Sequence, residues 1–346
     1  MIHIDGSMYS GSGTILRYAV ALATLKREPL SIVQIRKKRD KPGLRKQHLE
    51  AIRASCIISG GTVEGAEVGS TEILYRPGPV ISGGNYHFDI GSAGSTTMAA
   101  FSLIPQLLFA EGPSTVKIIG GLFQDFAPPF FHMEHVLIPL LRRMGAHVEL
   151  RMNRPGYVPQ GQGELLLTVK PSRKPLLPLV LKDRGTIATV QGIALASHLE
   201  EQMVAERMAQ RTLENLQRSK IRAEIKKLHD SSAAQRGAAL VVWAETSTGA
   251  ILGADRAGKQ GRSSESIADF VTRSFLEDLK SGAVTDRHLA DQLILFAALA
   301  EGTSEYTIPF FTDHVESNLW LVRLLLGAHT EQQGNLLRIQ GIGFVR

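Results

Sequence analysis

Three segments of the chain share one pattern, and this internal repetition constrains the fold more than any other feature. Each is an apolar segment with helical spacing, followed by one or two glycines and then by residues of alternating polarity. The segments are IRASCIISGGTVEGAEV (52–68), LRRMGAHVELRM (141–152) and VRLLLGAHTEQQ (322–333). Because glycine commonly ends helices and alternation is typical of strands, each predicts a helix with a glycine C-cap that leads into a strand.

Two further kinds of segment recur around this pattern. Extended segments close the three units at TEILYRP (71–77), GELLLTVKP (163–171) and NLLRIQGIG (335–343). A second type of helix, almost without polar residues, is expected in a core at TILRYAVALATL (14–25), STTMAAFSLIPQLLF (95–109) and DQLILFAALA (291–300). The repeat therefore predicts two helices and about four strands, present roughly three times, in a layered α+β fold.

About a hundred residues of different character interrupt the third unit. They include a charged amphipathic helix, LEEQMVAERMAQRTLENLQ (199–217), and a strand-like run, AALVVWAETSTGAIL (238–252). Insertion at a surface loop costs little because the entropy of loop closure grows slowly with loop length. We expect a large three-repeat domain from residues 1–180 and 281–346, and a small inserted α/β domain from residues 181–280.

Composition excludes several classes of protein. With 43% hydrophobic and 21% charged residues among 346, the chain is typical of a globular enzyme and not of a disordered protein. The net charge of +6 only weakly favours an anionic partner. The single cysteine, Cys56, excludes an internal disulfide framework and is expected to be a packing residue. No signal peptide and no bilayer-spanning segment is predicted, so we expect a cytoplasmic protein.

Several short segments are typical of anion-binding sites. The stretch DGSMYSGSGTILR (5–17) resembles a phosphate-cradling turn before a helix, although its glycine spacing fits neither a Rossmann nor a P-loop motif. Seven basic residues in eleven, from Arg36 to Lys46, flank the turn Pro42-Gly43. They form either a solvated basic loop or a track for phosphates. GSAGST (91–96) is either an anion-binding nest or a site of close helix packing.

The segment FAPPFFHMEH (126–135) invites a metal interpretation. His132 and His135 lie three residues apart beside Glu134. The spacing is not HExxH and no further ligand is evident, so a metal site is not favoured here.

Taken in order over the whole chain, the motifs resemble those of the RNA 3'-terminal phosphate cyclases. The matching segments are DGSM, ILR (15–17), KPGLRKQHL, VEGAEVGSTEI, GSAGST, FAPP, GYVPQGQGE, AETSTG, GKQGRS, HLADQL and FTDHVESN. The resemblance implies three βαβαββ-type repeats in one large domain, a small inserted α/β domain, and an active site in the cleft between them.

The resemblance also implies a reaction. The family's nucleophile is the histidine at His314, whose neutral imidazole attacks the α-phosphorus of ATP and expels pyrophosphate. The AMP then passes to the 3'-phosphate of an RNA. The neighbouring 2'-hydroxyl attacks that activated phosphate, which closes a 2',3'-cyclic phosphate and releases AMP.

Further residues match the family's binding positions. Those implied for the nucleotide are Arg17, Gln47, Pro128, Pro129, His288, Leu289, Ala290, Asp291 and Gln292. Those implied for RNA or phosphate are Arg36, Arg39 and Lys41, and Lys259 and Arg262 of GKQGRS lie in a loop that is expected to reach RNA. The implied partner is RNA with a 3'-phosphate end. A homodimer is one option for the oligomeric state, which no motif encodes. A divalent metal, Mg or Mn, is expected, but its ligands are not identifiable.

The chain departs from the family pattern near the expected nucleotide site. Ser10 to Thr14 lie where the family commonly has Glu-Gly-Gly-Gly-Gln before Ile-Leu-Arg. Phe101 replaces a glutamine of the family, and Phe131 replaces an acidic residue. Losing carboxylates is expected to weaken binding of a divalent metal.

Two functions fit these departures. One is a divergent cyclase that holds ATP differently; the other is a catalytically weakened, cyclase-like RNA-binding or ribonucleoprotein assembly factor. The retained His314, Arg17, Asp291 and Gln292 favour the enzyme. A third possibility, a relative of the enolpyruvyl transferases, shares the repeats but gives no reason for a nucleophilic histidine. The physiological RNA and the nucleotide preference are not encoded in any recognisable motif.

Overall fold

The first repeat unit forms a four-stranded sheet covered by two helices. A computed structural model describes residues 1–346. In chain order the unit consists of β1 (Ile2–Asp5), α1 (Gly13–Lys26), β2 (Leu30–Val33), α2 (Lys46–Ser59), β3 (Thr62–Glu64) and β4 (Ile73–Arg76). The strand order is β1-β2-β4-β3, with β1 parallel to β2 and the other two pairs antiparallel.

The second unit repeats this arrangement. It consists of β5 (Gly84–Asp89), α3 (Thr96–Leu107), β6 (Ser114–Gly120), α4 (Phe130–His132), a π-helical segment (Met133–Leu137), α5 (Ile138–Arg143), β7 (His147–Arg154) and β8 (Gly163–Lys170). Its strand order, β5-β6-β8-β7, is the same as that of the first sheet. The π-helical segment joins α4 and α5 into one continuous helix, which takes the place of α2.

The third unit begins with β9 (Val180–Leu181) and is then interrupted by a separate sheet. The interrupting elements are β10 (Ile187–Ser197), α6 (Val204–Arg218), β11 (Glu224–Asp230), β12 (Gly237–Thr246), β13 (Ile251–Ala257) and α7 (Ser264–Lys280). We call this segment, residues 187–280, the inserted unit. Its strand order is β11-β10-β12-β13, and only β10 and β11 are parallel.

The third unit resumes after α7. It continues with α8 (Leu289–Leu299), β14 (Glu301–Thr307), α9 (Asp313–Leu326), β15 (His329–Gln333) and β16 (Leu336–Ile342). Strand β14 pairs in parallel with β9, so the sheet β9-β14-β16-β15 has the strand order of the first two. The predicted α+β fold of three βαβαββ units is confirmed.

Local sequence explains where the helices end. Helices α2 and α9 end at Gly60 (φ 68°) and Gly327 (φ 69°), the glycines that the repeated pattern marked as C-caps. Two boundaries differ from expectation. Helix α6 begins at Val204, not near residue 199, because Met203 adopts a left-handed conformation (φ 50°). The strand-like run at 238–252 is a hairpin of two strands, β12 and β13.

Two hydrophobic cores are distinct. One core of 83 buried apolar residues runs through all three repeat units and includes Leu195 and Trp243 from one face of the inserted sheet. The other face packs against α6 and α7 in a core of 19 residues of its own. The division into domains 1–180 with 281–346, and 181–280, remains a prediction, which this separate core supports.

None of the helices combines the length and the hydrophobicity that a membrane-spanning helix requires.

Candidate active site

The first turns of α1 and α9 meet, and they bring residues from opposite ends of the chain together. Helix α9 begins where the Thr312 side chain accepts a hydrogen bond from the backbone N–H of Val315, a regular N-cap. This cap places His314 in the first turn, with its Nδ1 atom 3.4 Å from Oγ1 of Thr14. His314 is partly exposed, so it is not sealed in the core.

Hydroxyl groups fill the loop in which the resemblance expected a carboxylate. The Oγ atom of Ser10 lies 3.1 Å from that of Ser12 and 2.7 Å from that of Ser317 on α9. Ser12 is also the N-cap of α1 and accepts from the N–H of Thr14. The loop from Ser10 to Thr14 is therefore closed onto α9 by neutral hydrogen bonds.

Arg17, in the second turn of α1, is a buried cation with almost no partner. Its side chain is buried, at 8% exposure for the residue, and its Nε has no hydrogen-bond partner. The one hydrogen bond from its guanidinium is long, 3.5 Å from Nη2 to Oγ1 of Thr14. Burial lowers the pKa of Arg17 to about 10, which still leaves it charged at neutral pH. No carboxylate forms a direct ion pair with Arg17, although the charge of Asp291 acts on it from farther away. A buried charge without a direct partner is costly, so this site fits an anionic ligand.

His314 is neutral at physiological pH. Burial lowers the pKa of His314 to about 4, and the positive charges of Arg39 and Arg17 act in the same direction. Its neutral ring keeps a lone pair on one nitrogen, which is the form that a nucleophile requires.

Asp291, in the first turn of α8, completes the junction between three helices. Its Oδ2 accepts a hydrogen bond of 3.2 Å from Nδ2 of Asn318 on α9, and its carbonyl oxygen accepts from the same Nδ2 and from the hydroxyl of Tyr18 on α1. Burial, together with the neighbouring charge of Asp286, raises the pKa of Asp291 to about 7. The side-chain oxygens of Gln292 and Asn318 are buried without partners.

The other residues of the segment 288–292 differ in which side-chain or backbone groups are free to contact a ligand. His288 is exposed at the start of α8. The side chains of Leu289 and Ala290 are completely buried in the large core, which leaves only their backbone groups for a nucleotide. Of those groups, the carbonyl of Ala290 already accepts from the hydroxyl of Tyr306, and the N–H of Leu289 donates to Asp286.

The basic loop is folded by one of its own arginines. Nη1 of Arg36 donates to the carbonyl oxygens of Lys41 and Gly43, each at 2.8 Å, and so holds the turn closed. Arg39 and Lys41 are exposed, and the charge of Arg39 acts on His314. The loop therefore brings at least the charge of Arg39 close to the candidate nucleophile. This agrees with a track for phosphates, which remains a prediction.

Gln47 and the Pro-Pro segment belong to a second cluster. Oε1 of Gln47 accepts from the N–H of Ser95 in GSAGST at 2.8 Å. The carbonyl of Pro128 accepts from Oγ1 of Thr97, and Pro129 is the N-cap residue of α4. These bonds connect the start of α2 with the start of α3 and with the loop after β6, and no hydrogen bond connects them to His314.

The two phenylalanines that replace polar residues are core residues. Phe101 stacks on Tyr18 at 5.8 Å between ring centroids and meets Phe296 edge-on, while Phe131 contacts Phe123 and Phe130. Cys56 is half-buried against the same core, and burial raises the pKa of its thiol to about 11, which agrees with a packing role.

The two histidines after the Pro-Pro segment do not converge on a metal. His132 is buried beside Asp286, whereas the ring of His135 stacks on Trp243 at 4.3 Å. No group of three or more His, Cys, Asp or Glu side chains has a metal-binding arrangement. Arg262 forms two hydrogen bonds with Asp125, so it connects the inserted unit to the loop before Pro128.

Sequence reasoning missed two buried residues at the site. His48 accepts a hydrogen bond from the N–H of Arg45 through Nδ1, and its Nε2 faces Gly13, where a Cβ atom would come within 2.2 Å. Its burial and the nearby Arg17 lower its pKa well below the usual value, so it is neutral. Asp286, two residues before HLADQ, was missed as well, although it accepts hydrogen bonds from the N–H groups of His288 and Leu289 at the start of α8.

A family model matches residues 8–331 of the chain and is described as RNA 3'-terminal phosphate cyclase. Three proteins named RNA 3'-terminal phosphate cyclase are similar over nearly their whole length. The one from Archaeoglobus fulgidus is 38% identical over 340 residues, which cover 98% of this chain and 100% of that protein. The one from Staphylothermus marinus is 36% identical, with 99% of both chains covered. The one from Pyrococcus furiosus is 37% identical, with 97% of this chain and 96% of that protein covered.

A solved structure is less similar. The enolpyruvyl transferase NikO from Streptomyces tendae has 12% sequence identity and a TM-score of 0.40 over 99% of this chain and 49% of that one. The chain thus spans about half the length of that protein, and a likeness at this score carries no argument. The family model matches most of the chain, and the curated relatives match it over nearly their full length. The chain belongs to the RNA 3'-terminal phosphate cyclase family.

Proposed function

We propose that this protein uses ATP to convert the 3'-terminal phosphate of an RNA into a 2',3'-cyclic phosphate, through a covalent His314–AMP intermediate and an RNA-adenylate. The observation that carries the proposal is the pairing of a neutral, partly exposed imidazole with a buried arginine that forms no ion pair. The first supplies a nucleophile and the second a place for a phosphate.

Thr14 sets the orientation of the nucleophile. If Nδ1 of His314 carries the proton, it donates to Oγ1 of Thr14, and the lone pair on Nε2 is free to attack. The attack forms an Nε2–P bond to the α-phosphorus of ATP and breaks the bond from that phosphorus to pyrophosphate. Arg17 and Arg39 then stabilise the negative charge on the transferring group.

The second and third steps use the same site. An oxygen of the RNA 3'-phosphate attacks the phosphorus of His314–AMP, which releases the imidazole and forms an RNA-adenylate. The 2'-hydroxyl then attacks the RNA phosphorus, loses its proton, and expels AMP. Asp291, with a pKa near 7, is suited to exchange a proton at this pH. Arg36, Arg39 and Lys41 of the basic loop would hold RNA phosphates, and Gln47, Pro128, Pro129 and the segment 288–292 would line the nucleotide.

The residues present do not fit a divalent metal held by the protein. The loop from Ser10 to Thr14 offers hydroxyls in place of carboxylates, and no cluster of metal-binding side chains exists. We derive no step through a protein-bound metal, and a Mg or Mn ion would enter with the triphosphate as part of the metal–ATP substrate.

The alternative of a catalytically weakened RNA-binding or assembly factor is not favoured. A scaffold gains nothing from an unpaired buried arginine beside a neutral histidine, whereas an adenylylating enzyme does. The cytoplasmic location and the homodimer remain predictions.

Intact mass spectrometry after incubation with metal–ATP tests the proposal. The wild-type protein should gain one AMP, and His314→Asn should gain none. The exposed His329, paired with Glu331 on β15, provides the matched control, and His329→Asn should label like the wild type. An adduct that persists in His314→Asn would overturn the assignment. The absence of any adduct with ATP, together with tight RNA binding, would support the scaffold instead.

A further inference from the structure

Asp286 is a completely buried carboxylate at the point where the inserted unit returns to the third repeat. Its Oδ1 accepts hydrogen bonds from the backbone N–H groups of His288 and Leu289, both at 2.8 Å. Its Oδ2 accepts from the N–H of Gly253 on β13 at 2.9 Å and lies 3.0 Å from Nε2 of His132. One side chain thus joins α4, the inserted strand β13 and the beginning of α8.

His132 is the charged partner of this carboxylate. It is also completely buried. Burial lowers the pKa of His132, but the adjacent Asp286 outweighs that effect and the pKa is raised overall. For Asp286, burial raises the pKa, yet His132 and the hydrogen bonds hold it well below its usual range. Both shifts favour an ion pair, His132⁺ with Asp286⁻, sealed between the repeat units and the inserted unit.

Arg287 ties the next residue to the inserted unit as well. Its backbone N–H donates to Oδ2 of Asp278 on α7 at 3.1 Å, and its Nη2 donates to Oδ1 of the same residue at 2.9 Å. Its guanidinium also lies 5.4 Å from the ring centroid of Phe310, four residues before His314. Residues 286 and 287 are therefore fixed to β13 and α7 immediately before the segment 288–292.

We propose that His132 and Asp286 are positioning residues for the nucleotide site: their buried pair clamps the start of α8 to the inserted unit and so holds His288, Asp291 and Gln292 in place for ATP. The inference rests on the proposed function for its ligand. A role for the inserted unit follows from it, because this unit supplies Gly253 and Asp278, two of the groups that fix the clamp.

The chemistry of the pair explains why these residues are needed. An Asp at a helix start can cap two N–H groups by itself. Asp286 accepts four hydrogen bonds and binds a histidine 154 positions away, which sets the direction of α8 relative to two other elements. A small displacement of binding groups is enough to lower enzymatic efficiency by one to two orders of magnitude.

The test compares His132→Phe, which keeps the ring shape but cannot donate, with His132→Gln, which can still donate to Oδ2 of Asp286. Arg211→Ala is the control, because it removes an ion pair to Asp269 on the outer face of the inserted unit, away from α8. Steady-state turnover with an RNA that ends in a 3'-phosphate gives KM and kcat for ATP. Hydrogen exchange of the amides of residues 288–292 reports on the clamp directly.

His132→Phe should lose about tenfold to a hundredfold in kcat/KM, mostly through a higher KM for ATP, and its amides at 288–292 should exchange faster. His132→Gln and Arg211→Ala should resemble the wild type in both measurements. Unchanged KM and unchanged exchange in His132→Phe, even with a lower melting temperature, would overturn the proposal.

Two complications have defined outcomes. If His132→Phe does not fold, His132→Met replaces it, since its flexible apolar side chain fills the site but cannot donate to Oδ2 of Asp286; the same two results then decide. If the wild-type protein forms no adduct, the proposed function fails, but exchange still tests the clamp. Faster exchange confined to 288–292 supports it, and unchanged exchange refutes it.

Discussion

Oγ1 of Thr14 lies 3.4 Å from Nδ1 of His314, across 300 residues of sequence. This contact joins the first helix of the first repeat to the last helix of the third. The hydroxyl of Thr14 can accept a hydrogen bond from the imidazole. It lies where the resemblance to the family predicts the amide of a glutamine.

The contact between Thr14 and His314 gives the first prediction. Thr14→Val removes the hydroxyl and keeps the shape, so the imidazole loses its orienting partner. A hydrogen bond of this kind contributes about 1 kcal/mol, and we expect roughly a fivefold slower formation of His314–AMP. Thr14→Ser should be close to the wild type. Single-turnover labelling with α-labelled ATP provides the rates, and equal rates in Thr14→Val and Thr14→Ser would contradict the role.

Replacing Arg17 should make the unliganded protein more stable but weaken its binding of ATP. Because its guanidinium is buried and nearly unpaired, Arg17→Met should raise the melting temperature of the unliganded protein. The same change should abolish or strongly reduce ATP binding, since the phosphate loses its cation. Thermal unfolding with and without ATP checks both parts. A variant that is less stable than the wild type, yet still stabilised by ATP, would show that Arg17 is a structural residue.

Asp291 should make the folded state less stable as the pH rises. Its pKa is raised from 3.8 in the unfolded chain to about 7 in the fold, so the folded protein binds the extra proton between these values. Stability from this group is complete below about pH 4 and is lost as the pH rises through 7.

Asp291→Asn should remove that dependence. The variant should gain stability over the wild type at pH 8 and show little difference at pH 4, as measured by urea unfolding. His314 contributes the opposite slope between about pH 4 and 6.5, because its folded pKa is lowered; the comparison of two proteins that both retain His314 cancels it. A constant difference at both pH values would be inconsistent with the raised pKa.

Restoring a polar residue at position 101 should harm the protein. Phe101 is buried between Tyr18 and Phe296, so Phe101→Gln places an amide among aromatic rings without a partner. We expect a loss of about 2 to 4 kcal/mol in the free energy of unfolding, with no gain in ATP affinity. Phe101→Leu is the control and should cost less. A tighter binding of ATP by Phe101→Gln would show that the ring only occupies a nucleotide subsite.

The repeats were predictable because their signals are local. Gly60 and Gly327 directly follow apolar helical segments, and helices α2 and α9 end at these glycines. The start of α8 beside HLADQ was also predictable from its polar first turn. The boundary of α6 was not, because nothing in the sequence marks Met203 as a left-handed residue.

The site was less predictable because its contacts are long-range. In the sequence, His132 and His135 suggest only a weak candidate for a metal site. The packing of α4 against β13 is needed to show that the partner of His132 is Asp286. His48 is hidden in the same way, since its contact with Gly13 depends on how α1 and α2 pack. The effect of a substitution is also hard to judge from the sequence. Phe101 and Phe131 stand where the family has polar residues, which suggests lost contacts to the nucleotide or metal, but both are buried in the core.

The two-residue strand β9 has a consequence for synthesis on the ribosome. Val180 and Leu181 emerge long before their partners Glu305 and Tyr306 on β14. At about 10 residues per second, the intervening segment takes roughly 12 seconds to translate. During that delay the nascent chain carries an unfinished third sheet, while the inserted unit, which has its own core, can already fold. A bound chaperone, or a pause in translation after residue 280, would therefore act on this chain at one well-defined stage.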